Sequence, residues 1–85
     1  MRKIEIKLLG KNNYLRWTLE QWFYEIKDIV EKEYNILLEL KVIDTEDAEP
    51  MLAIDDAVFL EGLPGEEGYL IEVLKKVLDS VLVSN

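Results

Sequence analysis

Residues Lys3-Ile4-Glu5-Ile6-Lys7-Leu8 alternate polar and apolar side chains without a break. That is the period-2 pattern of a strand with one buried face, and it turns Ile4, Ile6 and Leu8 toward the core. Gly10-Lys11-Asn12-Asn13 then reads as a turn, with Asn12 or Asn13 placed to cap a following helix. From there Leu15, Leu19, Trp22, Phe23, Ile26, Ile29, Val30 and Tyr34 recur at intervals of three and four, the apolar stripe of a long amphipathic helix. Alternation returns at once. Ile36, Leu38, Leu40 and Val42 share one face of a second strand, and Leu37, Glu39, Lys41 and Ile43 share the other.

An acidic loop, 44–49, separates this strand from Pro50 and the apolar run Met51-Leu52-Ala53-Ile54. A second short run, Val58-Phe59-Leu60, follows across Asp55-Asp56-Ala57, the pattern of a hairpin whose tight turn is set by the aspartates. Gly62-Leu63-Pro64-Gly65 ends the strands. Glu66 and Glu67 open a last helix, where acidic side chains suit the positive end of the dipole, and Leu70, Val73, Leu74, Val77, Leu78 and Val81 are its stripe. The order is β-α-β-β-β-α. A right-handed crossover makes the first two strands parallel and the hairpin adds two antiparallel ones, giving a two-layer α/β domain with a four-stranded mixed sheet and both helices on one face.

Composition narrows the chemistry. The 85 residues suit a single domain spanning 1–85. With no cysteine and no histidine, the chain has no thiolate, no disulfide, and no imidazole base or metal ligand. The net charge of -8 disfavours nucleic acid, which is bound by clustered lysine and arginine. Charge is also polarised: residues 1–41 carry 8 basic and 7 acidic side chains, residues 42–85 carry 2 and 11. No apolar run approaches a membrane span and no signal region opens the chain, so a cytoplasmic location is expected. Twelve glutamates against one glutamine lean toward a thermophilic source.

The chain resembles the thioredoxin-like fold, in particular the small glutaredoxin-like redox proteins of archaea. Three stretches carry the likeness: Leu9-Gly10-Lys11-Asn12-Asn13-Tyr14 leading into the long helix, Glu49-Pro50-Met51-Leu52-Ala53-Ile54-Asp55, and Val58-Phe59-Leu60-Glu61-Gly62-Leu63-Pro64 followed by Glu66-Glu67. The resemblance implies a C-x-x-C in the first stretch, where this chain has none, so thiol-disulfide exchange is chemically impossible. It also implies a cis bond before Pro50, bordering a substrate groove. The family's second helix, between the second and third strands, has no room in the loop 44–49 and is expected to be missing. The sheet face bearing Lys3, Glu5, Lys7, Glu39 and Lys41 is then open, and should also carry Leu9, Leu37, Ile43, Met51, Ala53 and Phe59.

Trp17 and Tyr24 fall on the side of the helix opposite the Leu15-Leu19-Trp22-Ile26 stripe. Aromatics seven apart on an outer face suggest a contact surface, the alternative being rings laid over neighbouring lysine stems. Together with the groove implied by the resemblance, they give a candidate partner surface of Asn13, Tyr14, Trp17, Tyr24, Glu49, Pro50, Met51 and Phe59. The expected function is a redox-inactive, non-enzymatic thioredoxin-like module that binds another protein or itself, without a cofactor. A different class stays open: Asp44, Glu46, Asp47, Glu49, Asp55 and Asp56 crowd one stretch and suit a hard cation or acid-base work, although they lack EF-hand spacing.

Overall fold

The computed structural model describes residues 2–83. Its elements are β1 (Arg2–Gly10), α1 (Tyr14–Tyr34), β2 (Ile36–Asp44), β3 (Met51–Ile54), β4 (Ala57–Glu61) and α2 (Glu67–Val83), the order that the hydrophobic pattern predicts. The sheet runs β2-β1-β3-β4. β1 and β2 are parallel, in unbroken register from Arg2 opposite Ile36 to Gly10 opposite Asp44. β3 lies antiparallel to both β1 and β4.

Local chemistry fixes the ends of these elements. Asn13 is extended, at φ -140°, and its side-chain oxygen accepts from the Arg16 N–H at 3.1 Å, which caps α1. Asn35 closes the same helix in the left-handed conformation at φ 55°, its N–H returning to the Glu31 carbonyl. Asp55 and Asp56 both adopt positive φ, 49° and 67°. A two-residue hairpin needs that geometry to match strand twist, and aspartate tolerates it better than bulkier residues.

Ile4, Ile6, Leu8, Ile36, Leu38, Leu52 and Ile54 from the sheet meet Leu19, Phe23, Ile26 and Val30 of α1 and Leu70, Leu74 and Leu78 of α2 in one buried cluster. Both helices therefore lie on a single face. The topology resembles the thioredoxin-like fold with the middle helix absent, residues 45–50 taking its place. On the uncovered face the register sets Glu5 opposite Glu39 and Lys7 opposite Lys41. Ion pairs accordingly run off the register, Lys3 Nζ to Glu39 at 2.9 Å and Lys7 Nζ to Asp56 of the hairpin turn at 3.3 Å.

Three expectations are corrected. Ile29 is 57% exposed rather than part of the buried stripe, because it lies about 90° around the helix from the mean direction of Leu19, Phe23, Ile26 and Val30. Phe59 packs against the core cluster and not on the open face. The cause is a bulge: Leu52 pairs with Leu60 while Ala53 pairs with Val58, so Phe59 is the extra residue and the alternation slips by one. No described peptide bond is cis, so Glu49–Pro50 is trans. Trans is the ordinary preference by about 0.5–1 kcal/mol, and the loop before Pro50, already tied to the β1–α1 turn by Lys11 N–H to the Asp47 carbonyl at 2.9 Å, reaches β3 with it. Pro50 is buried against Gly10, where a Cβ would stand 3.1 Å from the Pro50 Cα.

Candidate functional site

The carboxyl ends of β1 and β2, the start of α1 and the loop 45–50 converge at one end of the sheet. Thr45 N–H donates to the Gly10 carbonyl at 3.0 Å, and Asn13 Nδ2 to the Ala48 carbonyl at 3.0 Å. The same asparagine thus caps the helix and holds the loop. Beneath them Arg16 is only 6% exposed. Its Nη1 donates to the Gly10 carbonyl at 3.0 Å and to Asp44 Oδ1, its Nη2 to Asn12 Oδ1 at 3.1 Å, and its buried Nε meets no partner among the described residues. The guanidinium fork joins the ends of β1 and β2 to the turn that leads into α1. As a fixed, permanently charged donor it can hold a backbone or an anion in place but supplies no nucleophile.

The pattern of hydrophobic positions did not reveal Arg16. The available signal was its phase: Arg16 stands three residues before Leu19 and seven before Phe23, inside the buried stripe. A charge in that phase is buried only with partners, and those partners come from β1, β2 and the turn between β1 and α1.

Trp17 and Tyr24 are 53% and 52% exposed on the outer face of α1, as the helical phase predicts. With Glu20, Gln21 and Glu25 they line an open depression of about 420 Å³. The Trp17 ring does not lie loose, because its Nε1 donates to Asn12 Oδ1 at 2.6 Å. Tyr24 is steadied by an edge contact with Phe23, ring centroids 6.0 Å apart. Tyr14, at the start of the helix, is exposed, and Asn13 is half-buried in its capping role.

The other candidates divide from this face. Glu49 is exposed beside Gly62, Pro50 is buried, and Met51 is half-buried opposite Leu9 and Glu61. The Asn13–Ala48 hydrogen bond is their link to α1, and none of three surface depressions is lined by Glu49 or Pro50. Phe59 is not brought to the surface site at all. The acidic residues are also separated by the fold. β3 carries the chain from 44–49 at one end of the sheet to Asp55 and Asp56 at the other, Asp44 is engaged by Arg16, and Asp47 accepts from the Thr45 hydroxyl at 2.8 Å. Among the described residues no group of three or more acidic side chains is gathered closely enough to hold a metal ion, and no helix is long and apolar enough to cross a membrane.

Electrostatics adds one feature next to the aromatic face. A side-chain hydrogen bond with Glu25, followed by burial and the Glu25 charge, pushes the Glu67 carboxyl above the usual carboxylate range. Two carboxylates therefore meet across the α1–α2 junction at the rim of the depression. Compared with family models, curated proteins and solved structures, the chain matches none of them.

Proposed function

We propose that this chain is a docking domain, related to the small glutaredoxin-like proteins, that works in the cytoplasm by binding a protein partner rather than by catalysis. The observation that carries the reading is the aromatic face of α1. Trp17 and Tyr24 stand half-exposed one above the other, Trp17 held in one orientation by Asn12, with Glu20 and Glu25 beside them. Tryptophan and tyrosine are the side chains that most often anchor interfaces, and a ring fixed before contact loses less entropy on binding. The acidic surround and the net charge of -8 favour a basic segment, whose arginine or lysine can also lie over the indole. The absent cysteine removes the redox role that the fold would otherwise suggest.

Amide chemical shifts, followed while a short peptide of alternating arginine and leucine is titrated in, test this reading. Shifts confined to residues around Trp17, Gln21 and Tyr24, lost in the Trp17→Ala/Tyr24→Ala double variant while its circular dichroism stays native, are the expected result. Shifts spread evenly over the acidic surface would sink the docking site. Unfolding of the double variant would return both rings to the core.

A further inference from the structure

β2 is an edge strand of nine residues with no proline, glycine or bulge along it, and such an edge is a template for another strand. One of its outward groups is occupied from within: Glu31 of α1 accepts from the Leu38 N–H at 2.7 Å and is itself held by Lys27 Nζ at 2.9 Å. Because backbone groups alternate along a strand, the N–H and C=O of Leu40 and Val42 face the same outer edge as those of Leu38. Cover by the helices also fades along the strand, from Ile36 and Leu38, both buried, to half-buried Leu40 and Val42 at 36% exposure. We propose that this edge pairs antiparallel with β2 of a second copy of the chain, centred on Leu40, to form an eight-stranded sheet across a two-fold axis.

Charge selects both the occupant and the register. With Leu40 on the axis, Glu39 of each copy stands opposite Lys41 of the other, Leu37 opposite Ile43, and Leu38 opposite Val42. Within one chain Lys41 faces Lys7 and has no carboxylate partner among the described residues, so the second copy supplies the missing opposite charge. Moving the axis one residue either way still matches outward groups with outward groups, but sets Glu39 against Glu39 or Lys41 against Lys41. Like charges directly opposite disfavour both alternatives. Glu31 guards the edge, since its carboxylate must leave the Leu38 N–H before the Val42 carbonyl of the second copy can take that place. The interface shares no residue with the aromatic face of α1, so either reading can fail alone.

Sedimentation equilibrium of the full chain across a wide concentration range, at low and at high salt, tests the pairing. The expected result is a concentration-dependent dimer. Glu31→Ala should tighten it about tenfold by removing a competing charge-assisted hydrogen bond. Lys41→Glu should break it by setting carboxylates opposite each other, and the swap Glu39→Lys/Lys41→Glu should restore it. Val42→Pro, which removes an outward N–H that the β1 ladder does not use, should give a folded monomer. A monomer at every concentration, in both the parent chain and Glu31→Ala, would overturn the proposal. So would a dimer indifferent to Lys41→Glu and Val42→Pro, or one lost instead in Trp17→Ala/Tyr24→Ala.

Discussion

The Trp17 indole Nε1 and the Asn12 side-chain oxygen lie 2.6 Å apart, and that same oxygen accepts from Arg16 Nη2 at 3.1 Å. One exposed asparagine therefore couples an outward-facing ring to a buried cation. Asn12→Ala should remove both bonds and cost about 1–3 kcal/mol, at a typical net 0.5–1.5 kcal/mol each. In a Trp22→Phe background, where emission reports Trp17 alone, the same substitution should lower fluorescence anisotropy. Unchanged anisotropy would mean that the ring is positioned by something other than Asn12.

Arg16 is the structural centre of the turn-loop cluster. Replacing it with methionine keeps the length of the stem but leaves the Gly10 carbonyl with only the Thr45 N–H, while Asp44, which is largely exposed, returns to water. Leaving one buried acceptor short of a partner predicts a loss of about 1–3 kcal/mol. Lysine at this position should recover only part of it, since a single ammonium cannot reproduce a fork that reaches Gly10, Asp44 and Asn12 together. Urea unfolding, read at constant m-value, measures both.

The secondary structure was legible because Ile4, Ile6 and Leu8 alternate cleanly and because Leu19, Phe23, Ile26 and Val30 keep helical phase, so burial and period agree. The exposed setting of Trp17 and Tyr24 followed from the same phase. Features made by contacts between elements were not legible. Arg16 depends on the end of β2 lying beside that of β1, Glu31 on where the edge of β2 lies, and Phe59 on a bulge too short to disturb a five-residue strand pattern visibly. Ile29 shows the opposite limit, since a residue spaced correctly for the stripe still needs a neighbouring element on its side of the helix.

Tyr34 closes the far end of α1 onto α2. Its hydroxyl donates to Asp79 Oδ1 at 2.6 Å and lies 3.2 Å from the Lys75 carbonyl. Burial, then the hydrogen bond and charge of Asp79, then the Glu33 charge, push the phenol up to about 12. The folded value lies above the unfolded value of about 10. This contribution to stability is therefore fully present below pH ~10 and is lost as pH rises through the folded value. Denaturant titrations should show that loss in the parent chain and not in Tyr34→Phe, which should be weaker at neutral pH by about 0.5–1.5 kcal/mol. Parallel pH profiles for the two would place the alkaline transition elsewhere.

Glu25 and Glu67 pose the reverse problem at the other end of the helix pair. A raised Glu67 carboxyl means that folding favours its proton, so its contribution is fully present below the unfolded value, near 4.5, and is lost as pH rises through the folded value. Once that proton is gone, the two carboxylates repel across the junction. Glu67→Gln removes the repulsion but also takes a negative charge from the first turn of α2, where the dipole favours one. Glu25→Gln removes the same repulsion and leaves that charge in place. Both substitutions should raise the melting temperature at pH 7, Glu25→Gln by more, and both gains should shrink as pH falls toward 4. A gain at pH 7 that persists unchanged in acid would show that the benefit comes from packing of the amide and not from relief of like charge.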